Sequence, residues 1–323
     1  MSRNALLALA ALAVACGGKD TAETAGPTCT NGVELYPAAD STGVYYRTTV
    51  EALFDDVEDS ATLTVDGVTG SSEWVGNSLV FTPDAPLASN TSYTATVTYS
   101  CGTGTASWTT SEIGSSIDVG TLTGNSYNLD LTSGRFVQPP DVGELLGSYL
   151  GEVTILVGVS EASATNITMV GAIGVEGAVP PAQDTCEPTI DFPVADFSAN
   201  PFFSVGPDTT TFSVSDVSVT IENLLVSGAF SPAGDYVDGG VLAGKIDTRP
   251  LVPLLDEEGD DNAICEITNS LQIPCEPCPD GEPYCLTLYV DSIVMLGLDA
   301  TVEQISEDTI CDRPECAAEC KGK

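Results

Sequence analysis

From Val44 onward the chain alternates apolar and polar residues with a period of two. Val44, Tyr46, Thr48, Val50, Ala52 and Phe54 fall on one side, and Tyr45, Arg47, Thr49, Glu51 and Leu53 on the other. That period is the mark of a half-buried strand. Ala61, Leu63 and Val65 then alternate with Thr62 and Thr64, and Asp66-Gly67 supplies a turn. Leu79 and Phe81 continue the pattern, as do Tyr93, Ala95, Val97 and Tyr99 against Thr94, Thr96 and Thr98. Cys101 keeps the inward parity of this last strand, and Trp108 closes the unit. Short strands separated by turn signals predict a β-sandwich.

Beyond residue 113 the pattern predicts further strands at 126–132, 153–159, 167–175, 211–226, 237–246 and 284–303. Thr211 to Ser215, then Val217, Val219 and Ile221, alternate cleanly, as does Leu286 to Val290. Two short helices are expected, one at 142–150 behind Pro139-Pro140-Asp141 and one at 251–255 behind Arg249-Pro250, because Pro and Asp suit helix starts. No internal repeat of roughly 20–50 residues is visible. The fold expected is all-β: a sandwich over 29–112, followed by a larger disulfide-rich antiparallel β-domain over 113–323 with one or two short helices.

Phe81-Thr82-Pro83, Leu87, Thr91-Ser92-Tyr93, Val97 and Trp108-Thr109-Thr110 together resemble the bacterial Ig-like domain of the S-layer (SbsA) type. Upstream, Tyr36-Pro37 through Gly43-Val44 is similar to that family's opening turn and first strand. The resemblance spans about a quarter of the chain. It implies a spacer or interaction module without catalytic residues, in which Tyr93 is a corner tyrosine with a structural role.

The first residues carry an address. Met1 to Asn4 holds one positive charge, and Ala5 to Ala15 is built only of Ala, Leu and Val. These are the n-region and h-region of an export signal. As a helix the apolar stretch would rise about 16 Å, short of a bilayer core of about 30 Å. Leu12-Ala13-Val14-Ala15-Cys16-Gly17 resembles the lipobox of bacterial lipoproteins. That resemblance implies removal of residues 1–15 and acylation of Cys16, which would tie the protein to a membrane through several acyl chains. Without an Asp after the cysteine, it points to the outer membrane, with the periplasmic or surface-exposed face left open. Residues 16–28 are small and polar, as a flexible tether is.

Eleven cysteines are an odd number, and setting Cys16 aside leaves an even one. In an oxidising compartment Cys29, Cys101, Cys186, Cys265, Cys275, Cys278, Cys285, Cys311, Cys316 and Cys320 read as disulfide partners. Cys29 and Cys101 are the two that precede residue 186 and are expected to pair. The other eight are expected to knot the acidic tail onto the second domain, in a connectivity the spacing does not choose. A redox or zinc role for Cys275-Glu276-Pro277-Cys278 is the sharper alternative; it lacks the βαβ context a thioredoxin-like site needs.

Charge and missing chemistry narrow the function. The chain has 47 Asp and Glu against 9 Lys and Arg, a formal charge of −38, which repels nucleic acid. It contains no histidine, so His-dependent triads, His-ligated zinc and the commonest general base are excluded. Carboxylate chemistry remains, but Asp130, Glu144, Asp191 and Asp247 offer no selected pair. Asp256-Glu257-Glu258-Gly259-Asp260-Asp261-Asn262 is rich in hard oxygen donors, and Asp256, Glu258, Asp260 and Asp261 are the candidate Ca²⁺ ligands. The favoured reading is a solvated acidic loop without a cofactor, since charge runs are usually that. Phe202-Phe203 is either buried or an exposed contact. The expectation is a non-enzymatic envelope lipoprotein that binds a protein or glycan partner. A purely structural envelope component and a carboxylate-dependent glycan hydrolase are the alternatives.

Overall fold

The computed structural model describes residues 30–139, 154–214, 217–255, 260–270 and 273–316. Seven strands build the first unit: β1 (Val33–Tyr36), β2 (Val50–Phe54), β3 (Thr62–Val65), β4 (Gly70–Val75), β5 (Ser78–Pro83), β6 (Ser92–Tyr99) and β7 (Gly102–Thr109). They form two antiparallel sheets, ordered β1-β2-β5-β4 and β3-β6-β7. β4 and β5 are joined by a two-residue turn, with Val75 paired to Ser78 and Gly76 at φ +61°, the left-handed conformation a tight hairpin needs. Phe54, Leu63, Leu79, Phe81, Val97 and Trp108 meet between the sheets as one core. This is the aligned sheet-on-sheet packing that period-two sequences produce. The Tyr93 hydroxyl accepts a hydrogen bond from the Ala88 backbone N–H at 2.8 Å, the geometry of a corner tyrosine.

The alternation read from Val44 to Phe54 is a strand only from Val50. Val44 makes a single bridge to Thr110. Tyr45, Tyr46 and Arg47 leave the sheet and pack against residues beyond 110. Alternation does not register this, because parity carries no information about which unit a side chain meets.

The second unit is one ten-stranded sheet. Its strands are β8 (Ser126–Leu129), β9 (Arg135–Gln138), β10 (Ile155–Ala162), β11 (Asn166–Ile173), β12 (Ile190–Asp191), β13 (Ala195–Asp196), β14 (Phe202–Val214), β15 (Val217–Phe230), β16 (Tyr236–Asp247) and β17 (Cys285–Leu298). They run β12-β11-β10-β8-β17-β16-β15-β14, with β13 beside β11 and β9 beside β17. The expected single strand at 211–226 is two: Val214 pairs with Val217, so the alternating run folds back on itself. Register shifts between Val205 and Asp208, Glu222 and Leu225, and Val237 and Gly240 mark bulges, which increase twist and bend strands. The sheet therefore curls around a core in which Phe230 touches Tyr127, Phe197 and Phe203 at ring distances of 5.6, 5.9 and 4.9 Å.

On β10 and β11 both faces are covered. Val157, Val159, Ile167 and Met169 point into the core, and Leu156, Val170 and Ala172 are buried on the opposite side. The chain after β17 crosses that side as a strap. A Cβ on Gly158 would lie 2.9 Å from Val302. The Val302 N–H donates to Ser126 Oγ at 2.9 Å, Gln183 exchanges two hydrogen bonds of 2.8 Å with the Glu303 backbone, and the Thr189 N–H donates to the Ile305 carbonyl at 2.9 Å. Cys186–Cys316 fastens the strap across 130 residues.

Two α-helices occur among the described residues, α1 (Ala263–Ser270) and α2 (Glu307–Ile310). The helix expected at 251–255 is a 3-10 helix over Arg249–Leu255, and the one expected at 142–150 lies outside the described residues. No helix among those described is long and apolar enough to cross a membrane.

Candidate functional site

Cys16, Cys29, Cys320, Asp256, Glu258 and Glu144 lie outside the described residues. Cys265 bonds to Cys275 and Cys278 to Cys285, so the two cysteines of the Cys-x-x-Cys run are tied to different partners and not to each other. Cys101 and Cys311 are also disulfide-bonded. Cys101 sits in the turn between β6 and β7, half-buried at the sheet end rather than within the core.

Asp260 does local work. Its carboxylate accepts the Asn262 N–H at 2.9 Å, its carbonyl accepts the Ala263 N–H, and the Asn262 side chain reaches Glu266 of α1 at 3.1 Å. Part of the acidic run is thus the N-terminal cap of a helix, a signal that Asp and Asn before an apolar-periodic segment carry and that a reading of the run as charge alone passes over. Among the described residues no cluster of three acidic or cysteine side chains converges as a metal site would. Asp261 is described and joins none.

The other singled-out acids are similarly engaged. Asp130 caps a 3-10 turn by accepting the Thr132 N–H at 2.9 Å, Asp191 accepts from Gln304 at 2.8 and 2.9 Å, and Asp247 pairs with Arg249 at 2.6 Å. Every carboxyl among the described residues that departs clearly from its ordinary pKa departs downward. The hydrogen-bonded Lys245 lowers Glu276, and Arg313 lowers Glu303. For Asp280 the Glu282 N–H acts first and Arg249 second. These shifts hold the groups ionised, the opposite of what a general acid needs. Phe203 is fully buried, whereas Phe202 carries the Arg47 guanidinium 3.9 Å over its ring.

The feature that sequence reading left unassembled is the outer face of β3-β6-β7. The register sets Thr62 beside Thr98 and Thr103, Thr64 beside Thr96 and Thr105, Thr94 beside Ser107, and Ser92 beside Thr109. All ten outward positions are Thr or Ser. Hydroxyls pair across strands, Thr94 with Ser107 at 2.8 Å and Ser92 with Thr109 at 2.9 Å. β-branched Thr suits a strand, but the sandwich's other outer face is built differently. There Glu34, Leu53, Ser78 and Val75 form one row and Tyr36, Glu51, Val80 and Glu73 the next. On that mixed face Tyr36, Leu53 and Val75 are exposed, and its Tyr36 and Glu51 lie near the second unit. The pKa of Arg135 on β9 is pushed up first by its hydrogen-bonded partner Asp291, and further by nearby Tyr36 and Glu51. The hydroxyl face lies on the opposite side of the sandwich.

A polar sheet face of this kind can give and accept hydrogen bonds at every position, and short side chains lose little rotamer freedom on binding. It carries no group that could act as nucleophile-and-base pair or cation clamp.

Comparison with known proteins agrees with this geometry for the first unit. No curated protein matches the chain. Among solved structures, the crystal structure of Mycobacterium tuberculosis L,D-transpeptidase 1 aligns with 45% of this chain and 77% of that one, at 14% identity and a TM-score of 0.21, a likeness too slight to carry an argument. Residues 26–106 match the model of the bacterial Ig-like domain family, and the sandwich of β1 to β7 is that domain.

Proposed function

We propose that this protein is a non-enzymatic lipoprotein of the bacterial envelope, anchored through Cys16 and attached to the outer membrane, whose Ig-like domain meets a partner through its hydroxyl face. The observation that carries the reading is the composition of that face: ten outward Ser and Thr, with carboxylates at its ends, Asp66 beside Thr94 and Glu58 on Ser100, on a chain of −38. A molecule so acidic repels acidic surfaces least where its carboxylates are sparsest. The face therefore fits a polar, uncharged partner surface such as a glycan or the hydroxyl- and amide-rich side of an envelope protein. The absence of histidine and the downward shift of the perturbed carboxyls among the described residues support a binding role over hydrolysis.

The test is site-specific photocrosslinking in cells, with the crosslinker at Thr96 or Thr105 and, as a control, at Glu73 on the other face. Adducts from the two threonine positions that are absent at Glu73 are expected. Equal labelling from both faces, or none from either, would count against the hydroxyl face and leave the purely structural role. Protease shaving of intact cells, read by peptides from 113–323, separates a surface-exposed protein from a periplasmic one.

A further inference from the structure

We infer that Tyr45, Tyr46 and Arg47 form a latch that locks the Ig-like domain to the ten-stranded unit, so that the two move as a single rigid body. Three consecutive side chains leave the expected strand, and each finds a prepared seat. The Tyr45 ring lies directly on Gly239 of β16, where a Cβ would collide with the ring. Gly239 has φ +59°, so both the open space and the backbone conformation call for glycine. Tyr46 is buried, with its ring against Gly114 at φ +110°, where a Cβ would come within 2.8 Å. The two tyrosines pack edge to face with centroids 5.1 Å apart, a favoured aromatic geometry.

Around them is a third core, separate from those of the two units. Tyr46, Ile113 and Ala229 are its buried members, and Tyr45 and Tyr236 flank it. Tyr46 comes from the Ig-like domain, Ile113 from the connection, and Ala229 from β15. Tyr236 of β16 donates its hydroxyl hydrogen to Glu112 at 3.3 Å.

Arg47 closes the seam. Its guanidinium sits 3.9 Å over Phe202 of β14 and its Nε donates to the Tyr46 hydroxyl at 3.1 Å. Arg135, Lys245, Arg249 and Arg313 are each ion-paired with carboxylates. Among the described residues Arg47 is the cation that forms no such pair, although acids outnumber bases about five to one. It lies instead over an aromatic ring of the other unit, at the solvent-exposed edge of the joint.

The connection is pinned as well. Asn200 holds the Ile117 backbone from both sides, accepting its N–H and donating to its carbonyl, each at 2.9 Å. Ile113 and Ile117 are buried, whereas a free linker would be polar, exposed and mobile.

The consequence is that the hydroxyl face has a fixed direction relative to the second unit. The latch stands whether or not that face is the one a partner uses.

Limited thermolysin digestion of the full chain in detergent tests the latch, because this protease cuts before Ile113 and Ile117 only if the joint opens. The parent is expected to resist there. Tyr45→Ser with Arg47→Ser should raise cleavage at those two bonds about tenfold, in proportion to the opened population, and release two resistant halves whose disulfides remain closed. Gly239→Val, which wedges the joint without removing a latch residue, should do the same. Should one variant fail to fold, the other still decides. Rapid cutting of the parent at Ile113 or Ile117, or a folded variant as resistant as the parent, would overturn the latch.

Discussion

The Ig-like domain and the ten-stranded unit solve the same problem, covering a sheet's apolar side, in different ways. In the first, two sheets face each other and leave their outer sides to water. In the second, a single sheet curls on itself, and part of its outer side is apolar too, covered by a strap with no regular strand. The difference teaches that a sandwich is self-sufficient at the level of its strands, whereas the curled sheet depends on a late, non-periodic segment and on the covalent bond that retains it.

Breaking that dependence should give the largest effect. Cys186→Ala with Cys316→Ala frees a loop of 130 residues and is expected to cost about 4 kcal/mol, read as a lower urea midpoint and as new proteolysis after residue 298. An unchanged midpoint would mean the strap is held by its hydrogen bonds alone. Next in size, Gly158→Val inserts side-chain volume beneath Val302 and should cost about 2 kcal/mol by overpacking, measured in the same way. On the sandwich side, Tyr93→Phe removes the hydroxyl that accepts the Ala88 N–H and should cost about 1 kcal/mol. If it cost as much as releasing the strap, the contrast between the units would fail.

The smallest effect sharpens the comparison through pH. Arg313 holds Glu303 of the strap below the usual carboxylate range. A depressed folded-state pKa contributes stability above the unfolded value of about 4.3 and loses it as pH falls through the folded one. Glu303→Gln should therefore lower the urea midpoint slightly at neutral pH, and the difference should fade as the pH falls below the ordinary carboxylate range. A difference that persists in acid would assign the effect to packing. Glu303 is largely exposed and Arg313 half-buried, so salt should shrink it further.

Much of the sandwich was legible because its strands alternate and Asp66-Gly67 marks a turn. Where the reading went astray, the cause was physical. Tyr45 to Arg47 keep strand parity while docking on another unit. Thr211 to Ile221 keep parity across a reversal, so one strand was expected where two pair. The strand expected to run to 303 ends at Leu298, and the burial of Ile305 and Ile310 beyond it depends on Cys186 and Gln183, more than 100 residues away. Of the candidate site, the threonines of β3 and β6 were visible as outward positions. The face emerged only when the register added Thr103, Thr105 and Ser107 of β7, which lacks large apolar residues before Trp108. The cysteine positions were legible and their pairing was not, since pairing is set by the path of the chain.

The two tryptophans, Trp74 and Trp108, both lie in the Ig-like domain, and the ten-stranded unit has none. Trp108 is buried, with no hydrogen-bond partner for its indole N–H, and Trp74 packs on Phe54 with ring centroids 5.5 Å apart. Tryptophan emission is thus a built-in optical label for one half of the molecule. Its wavelength reports whether the sandwich is intact, while tyrosine absorbance, drawn from both halves, reports on the whole. Comparing the two during denaturation follows each half separately, with no dye, tag or substitution added.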